Sequence, residues 1–456
     1  MRPRPPGAAD KMLNQPASVA DPFDALDSLS SAALDKWWIR RLRKVFTLAA
    51  ERLPFYQDRF RAGGFDPARF RTLDDLRAVP ISNKSDLLAI QRKTRSHNLG
   101  IEFEADAPQA TVTLSLSSGT SGTTFITHTR TWTKMQGRSS CRAHWWAGLR
   151  AGSPLLMSAP AWHSYAAIQP FIAMHFGMPC VVVSGTYLPR FADRVVDAIV
   201  RFRPRFVTMF LPMVFSILAT ARHQGIDGDR LFASVQTLVV TGAPITPGMR
   251  QHLRRLSGVA RVAEIAGSSE NLLAVDCERA EGLHVVPDTC HVEVIDRATG
   301  RAAAEMERGS MVHTSVIPAG SVYLRYDGGD AGVINREPCA CGLPSPRIKL
   351  LGRWEDSFTI GPHVLLPYDV QLAIEEEVPE LSGAACVITR EGLARGTLRV
   401  LLAAPEHAAA SLLDGARAAL SRRFGVPVEV VGVLDLPLRF KGVPPILSEQ
   451  EAASQL

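Results

Sequence analysis

The sequence predicts an α/β protein: a large N-terminal unit of mostly parallel strands flanked by helices, a small β-subdomain, and a small mobile α+β lid at the C-terminus. Three observations predict it. At 456 residues the chain exceeds one ordinary domain. From residue 111 to about 245, short apolar runs bounded by turn residues alternate with helical stretches, which implies a largely parallel sheet covered on both faces. After Gly352 the pattern changes to a compact unit of roughly 100 residues. The expected divisions are a disordered tail at 1–25, a large unit at 26–354 with its β-subdomain at about 284–350, and the lid at 355–456.

The elements follow in order. Met1 to about Asp21 is Pro/Ala-rich without an apolar core, so it reads as a tail and neither as a signal peptide nor as an anchor. Residues 30 to 105 read as helical. Trp37 to Phe46 has apolar residues at helical spacing and a basic face. Such a helix can lie on a membrane, but more often its Arg stems lie along the protein core. Thr111–Leu116 alternates and reads as a strand. Pro154–Ala159, Cys180–Ser184, Phe206–Phe210 and Thr237–Gly242 are short apolar strands, with helices at Arg190–Phe202 and Leu211–His223. From 284 to 335 short strands with turns prevail, as in His291–Asp296. The lid reads as a helix at Tyr368–Val378, two strands within Cys386–Leu402, a helix at Glu406–Phe424 and a strand at Val428–Val433.

Composition narrows the function classes. Hydrophobic content of 46% and charged content of 21% fit a globular chain with a sizeable core. The net charge of +6 comes mostly from Arg spread along the chain, which disfavours a nucleic-acid partner and suits an anionic substrate or cofactor. Seven unevenly spaced cysteines argue for a reducing, cytoplasmic setting over a disulfide framework. No apolar run of about 18 residues exists to span a membrane.

Two motifs carry chemistry. Ser117-Ser118-Gly119-Thr120-Ser121-Gly122-Thr123-Thr124 follows the first strand. Its glycines let backbone N–H groups turn inward on an anion, and its hydroxyls add donors. No Gly-Lys-Ser/Thr follows, so it is not a Walker A loop. A bland surface loop has the same composition, and the loop alone does not decide. Ligands in such sheets bind at the carboxyl ends of the strands, where this loop and the turn Gly242-Ala243-Pro244 are expected. The second motif is the thiolate pair Cys339-x-Cys341, with Cys277 and His284 upstream. Three thiolates and an imidazole make a closed tetrahedral set for a structural zinc. The alternative is thiols that pack as small hydrophobes, as Cys290, Cys141, Cys180 and Cys386 are expected to do.

Further segments fall in a telling order. Leu53-Pro54-Phe55-Tyr56, the Ser117 loop, Thr241-Gly242-Ala243-Pro244 and Ala266-Gly267-Ser268-Ser269-Glu270 come first. Tyr326-Asp327-Gly328-Gly329-Asp330, Cys339-Ala340-Cys341-Gly342 and Leu351-Gly352-Arg353-Trp354-Glu355-Asp356 follow. Each is weak singly; together, from about Trp37 to Ile446, the chain resembles the adenylate-forming enzymes (acyl-CoA synthetases, adenylation domains and luciferases), above all the phenylacetate–CoA ligase branch. The resemblance implies that a substrate carboxylate attacks the α-phosphate of ATP, releasing pyrophosphate, and that a thiol or amine then displaces AMP from the acyl-adenylate. It implies that Ser117, Ser118, Gly119, Thr120, Ser121, Gly122 and Thr123 hold the β- and γ-phosphates. Gly242, Ala243, Pro244, Ala266, Gly267, Ser268 and Ser269 would line the nucleotide. Glu270 matches a magnesium-associated glutamate, a hard-oxygen ligand suited to Mg²⁺. Asp330 matches an aspartate that accepts both ribose hydroxyls. Arg353 would bind the ribose–phosphate region, Glu355 falls at the hinge before the lid, and Lys441 matches a catalytic lysine in a terminal loop. That branch often carries a Cys…His…Cys-x-Cys set resembling a zinc site. Other readings stay open: Asp330 as a turn residue, Glu270 as a helix-start carboxylate, Lys441 as a solvated surface lysine.

The chain also departs from the family pattern. Thr123-Thr124 stand where Gly122 is often followed by Lys-Pro, Ala266 stands for an aromatic beside adenine, and Gly328 for a Thr. Trp162, His163 and Tyr165 would bound a pocket for an aryl or other apolar acid, although a lone histidine such as His163 is more often a hydrogen-bonded core residue. The leading expectation is an enzyme using ATP, Mg²⁺ and CoA on a small carboxylic acid. The alternatives are transfer to an amine or to a carrier-protein thiol, and a nucleotide-binding non-enzyme. A homodimer is implied by analogy with the branch alone.

Overall fold

The computed structural model describes residues 22–94, 99–103, 111–116, 127–132, 134–159, 164–183, 191–403, 410–433 and 445–453. Helix α1 (Ser31–Arg52) is capped by the Ser30 side chain, which accepts from the Ala33 N–H. It buries Leu34, Trp38, Leu42, Val45, Phe46 and Ala49, a stripe at helical spacing. The Trp38 indole donates to the Pro287 carbonyl at 2.9 Å, and the stripe belongs to one core with Val292, Val294, Met311 and Tyr326. This apolar face is occupied by the protein's own core, so the helix is a covering element of the fold and not a membrane-surface helix. Among the described residues no helix is long and apolar enough to cross a membrane.

Strand β1 (Thr111–Leu116) pairs antiparallel with β2 (Thr127–Trp132), with Leu116 opposite Thr127. This corrects the placement of β1 in the parallel sheet: the two strands form a hairpin of their own. Its Thr-Val-Thr-Leu alternation is the pattern of an antiparallel strand, whereas a strand buried in a parallel sheet reads apolar throughout. Helix α2 (Lys134–Trp146) carries Arg142, which is buried. Arg142 reaches Asp24 at 2.7 Å, Asp288 at 3.2 Å and also Asp27. Asp24, within the stretch 1–25 expected as a tail, thus supplies part of the charge that a buried guanidinium needs.

The central sheet is twelve-stranded among the described residues. Its parallel half comprises β3 (Leu155–Ser158), β4 (Cys180–Val183), β5 (Phe206–Phe210), β6 (Thr237–Thr241) and β7 (Arg261–Gly267), in the order β4-β3-β5-β6-β7. Helices cover both faces, so β5 and β6 are buried at every position. Side-chain alternation sends Val207, Leu238 and Val240 to a core with α3 (Ala192–Phe202), α4 (Leu211–His223) and α5 (Pro247–Ser257). Phe206, Val239 and Ile265 go to the opposite core, with Trp146 of α2. The sheet continues antiparallel through β8 (Leu272–Asp276) and β9 (Leu283–Val285), then through strands later in the chain: β10 (Cys290–Ile295), β11 (Gly309–Ser315), β12 (Tyr326–Asn335) and β13 (Arg347–Arg353). The β-rich stretch expected at about 284–350 is thus the antiparallel half of this same sheet.

Beyond β13 lies a four-stranded sheet: β14 (Cys386–Thr389), β15 (Leu398–Ala403), β16 (Val428–Val433) and β17 (Ile446–Leu447). Helices α6 (Pro367–Glu377) and α7 (Ala410–Phe424) cover it through Ile374, Leu420 and Phe424. Tyr368 of α6 packs on Ala331, Val333 and Leu351 of the central sheet, and Arg308 pairs with Asp369 at 3.0 Å.

A buried charge cluster lies just before the end of β7. Arg250 of α5 reaches Asp276 at 2.6 Å and Glu264 at 3.8 Å. One guanidinium faces two carboxylates, so burial first and the Asp276 charge second push Glu264 up to about 8. The unfolded chain releases this proton near 4.5, whereas the folded chain holds it to about 8. Stability from this group is therefore full at low pH and lost as pH rises through that window. Glu264→Gln is expected to flatten the fall in urea midpoint between about pH 5 and pH 8. An equal fall in both proteins would remove Glu264 as its cause.

Candidate functional site

Strands β6 and β7 are parallel neighbours, so their carboxyl ends lie side by side. The Thr241 hydroxyl donates to the Ile265 carbonyl at 2.8 Å and ties the two ends together. Gly242 opens the turn after β6 at φ +87°, and a Cβ there would sit 2.4 Å from a ring carbon of Phe210. Only glycine fits. Ala243 is buried and Pro244 half-buried behind it. After β7, Ala266 is buried and Gly267 exposed, and the chain turns through Ser268, Ser269 and Glu270 into β8. The Ser268 N–H donates to the Asn271 carbonyl at 2.9 Å, and the Ser268 hydroxyl accepts from the Glu270 N–H at 3.2 Å. Asn271 is held in turn by its amide on the Ser315 hydroxyl at 3.1 Å. The turn is therefore fixed on both sides, and it presents the Glu270 carboxylate half-buried.

The facing wall comes from β12 and β13. Asp330 and Arg353 stand directly opposite in the register, and Arg353 donates to Asp330 Oδ1 at 3.0 Å. The Arg353 Nε lies 3.5 Å from a Glu355 oxygen. Gly329, at φ +87°, would place a Cβ 3.1 Å from the Arg353 guanidinium, so the glycine makes room for that side chain. Burial works against the Arg353 charge, but Asp330, Glu355 and Glu270 all favour it. Tyr326, at the start of β12, donates from its hydroxyl to Glu270 Oε1 at 3.3 Å. Burial, then the Glu270 charge, holds the Tyr326 phenol well above its ordinary range, so it stays protonated. Glu270, Asp330, Arg353 and Glu355, widely separated in sequence, thus share one polar cluster. The cluster adds Tyr326 and Asp327, to which the sequence reading gives no role. Asp327 accepts from the Gly329 N–H at 2.8 Å and shapes the turn before Asp330.

Ser117, Ser118, Gly119, Thr120, Ser121, Gly122, Thr123, Trp162, His163 and Lys441 lie outside the described residues. Tyr165 is half-buried, with its hydroxyl 3.1 Å from His144 Nε2. His144 Nδ1 faces the Ser140 carbonyl at 2.7 Å and must donate there, so Nε2 accepts from Tyr165. Burial pushes His144 down to about 4 and keeps it neutral. His144 sits in the helical run Arg-Ala-His-Trp-Trp, where nothing local marks a partner more than twenty positions away.

Cys277, His284, Cys339 and Cys341 offer ligand atoms all within 4.8 Å of one another. Cys277 Sγ lies 3.9 Å from Cys339 Sγ, and Cys341 Sγ lies 3.3 Å from His284 Nε2. Zinc–sulfur bonds of about 2.3 Å at tetrahedral angles require sulfur atoms about 3.8 Å apart, so the spacing fits. His284 Nδ1 donates to the Ser345 carbonyl at 2.9 Å, which leaves Nε2 as the lone-pair atom facing the thiols. A hydrogen bond from Cys341 favours the Cys277 thiolate, lowering it to about 3, while the Cys341 thiol is pushed up. Cys141, Cys290 and Cys386 are buried and Cys180 half-buried, packed in the cores, and burial raises each of their thiols.

Comparison with known proteins identifies the family. The family described as AMP-binding enzyme matches residues 68–316. The phenylacetate-coenzyme A ligase of Thermus thermophilus is 28% identical over 409 residues, covering 86% of this chain and 85% of that protein. The Escherichia coli phenylacetate-coenzyme A ligase is 25% identical over 320 residues, covering 67% and 68%. In fold, the chain is similar to 2-hydroxyisobutyryl-CoA ligase in complex with its acyl-AMP, with a TM-score of 0.79 at 20% identity, covering 94% of this chain and 92% of that one. An anthranilate CoA ligase in complex with anthranoyl-AMP aligns at 0.56 and 15% identity, covering 79% and 75%. The family match spans more than half of the sequence: this chain belongs to the AMP-binding enzymes, on the branch that resembles phenylacetate-coenzyme A ligases.

Proposed function

We propose that this protein adenylates a carboxylic acid with ATP, releases pyrophosphate, and transfers the acyl group from the acyl-adenylate to coenzyme A. The observation that carries the reading is the cluster joining Glu270 to Asp330 and Arg353, at the carboxyl ends of the parallel strands. Asp330 offers two acceptor oxygens for a ribose diol, and Arg353 at its side can reach a phosphate. Glu270 would hold Mg²⁺, which when bound neutralises phosphate charge. Gly242, Ala243, Pro244, Ala266, Gly267, Ser268 and Ser269 line the nucleotide, and the Ser117–Thr123 loop binds its outer phosphates. Trp162, His163 and Tyr165 bound a flat, apolar acid. Lys441 supplies charge from the C-terminal unit, which acts as a lid from Glu355 onward. Cys277, His284, Cys339 and Cys341 hold a structural zinc. Unpaired cysteines support a cytoplasmic setting.

Acid-dependent ATP–pyrophosphate exchange over a panel of aryl acids tests the first half-reaction. We expect exchange with at least one acid, and an acyl-CoA ester when CoA is added. Adenylate without a CoA ester would move the acceptor to an amine or a carrier-protein thiol. No ATP binding at all would overturn the reading.

A further inference from the structure

We infer that Tyr326 is a positioning residue for the Glu270 carboxylate, fixing one of its oxygens so that the group is presented in one orientation to a divalent cation. The inference rests on the proposed role of Glu270. It starts from the placement of the phenol. Tyr326 is 1% exposed, and its ring is wedged between Tyr323 at 5.1 Å and His313 at 5.4 Å. Its backbone is held on both sides, by pairing with His313 of β11 and with Ser82. Next to it the Arg325 N–H donates to the Thr314 hydroxyl at 3.1 Å. A ring so confined has little freedom to swing. Its hydroxyl points out of this wall and donates to Glu270 Oε1 at 3.3 Å, across 56 positions of sequence.

The chemistry of that contact is specific. A free glutamate explores several rotamers about three torsions, and its terminal carboxylate rotates broadly. One neutral O–H donor on Oε1 limits that rotation and leaves the carboxylate charge intact. Donors of this kind behind a metal-binding side chain commonly change metal affinity by about 10–100-fold. Packing alone would be served equally by phenylalanine, so the hydroxyl is what the position adds.

The test is Mn²⁺ binding, followed by the electron paramagnetic resonance signal of the free ion, to the full chain saturated with a non-hydrolysable ATP analogue. Tyr326→Phe, which keeps the ring between Tyr323 and His313, is expected to weaken Mn²⁺ by about tenfold. Affinity for the metal-free nucleotide and the thermal midpoint should stay unchanged, which a merely structural role would not allow. Glu270→Gln should weaken Mn²⁺ at least as much, and the double variant no further. Mn²⁺ affinity in Tyr326→Phe within twofold of the native protein, alongside a clear loss in Glu270→Gln, would overturn the inference and leave the function standing. No loss in Glu270→Gln would overturn both the metal role of Glu270 and the inference built on it.

Discussion

Lys441→Ala is expected to slow acid-dependent ATP–pyrophosphate exchange by on the order of 10²-fold or more, the scale of losing a preorganised charge-stabilising donor. The charge balance of the site is the reason. Among the described residues the cluster holds Glu270, Asp327, Asp330 and Glu355 against Arg353, with Arg297 acting on Asp327. Arg353 is already engaged by Asp330 and Glu355. The reaction brings a carboxylate to a triphosphate, so two more anions enter a site that is itself net negative. Thr123 stands where the family this chain resembles often has a lysine, whose charge would serve the leaving pyrophosphate. The missing cation must come from the metal and from elsewhere in the chain, and Lys441 is the sole lysine after Lys349. An ammonium on a flexible stem can follow charge as it develops at the α-phosphate. Exchange by Lys441→Ala at the native rate would sink the assignment, and single-turnover transfer from preformed adenylate to CoA should be much less affected.

How far the sequence carries depends on whether a signal is local. β5 and α4 lie where the sequence places them, because Phe206–Phe210 is a short apolar run and Leu211–His223 a helical one, with Pro212 at its first turn. Cys277, His284, Cys339 and Cys341 stand out because few residue types bind zinc. Pairings between distant segments leave no such trace. Nothing in Leu283-His284-Val285 announces that it will pair with Arg347 and Ile348 and so join the β-rich stretch to the parallel sheet. The partner of Thr111–Leu116 is equally hidden, and the alternating pattern that suits an antiparallel strand did not keep the sequence from placing it in the parallel sheet. Tyr326 on Glu270 and Tyr165 on His144 are side-chain contacts between separate elements, which no single-segment pattern encodes. Arg142 reads as one more helical arginine until the fold closes three carboxylates around it.

Cys339→Ser is expected to reduce bound zinc from about one per chain to near none, and to lower the thermal midpoint by roughly 5 °C or more. The cluster joins three segments that are neighbours in the sheet. Cys277 follows β8, His284 lies in β9, and Cys339 and Cys341 sit in the turn leading to β13. A metal there locks the ends of three adjacent strands at once. Without it the sulfur atoms remain crowded, with Cys277 and Cys339 buried and one thiolate left in a poorly solvated place. The His284 tautomer argues the same way, because Ser345 and its carbonyl have already fixed Nε2 as the acceptor side. The cost is smaller than the about 10–16 kcal/mol seen when zinc alone organises a finger peptide, since the core of α1, α2 and the sheet survives its loss. Zinc is measured by elemental analysis on protein never exposed to chelator, and the midpoint by calorimetry. Cys290→Ala, which removes a buried thiol outside the cluster, should keep its zinc. Well under one zinc per native chain, or a Cys339→Ser midpoint equal to the native one, would return these four residues to ordinary packing.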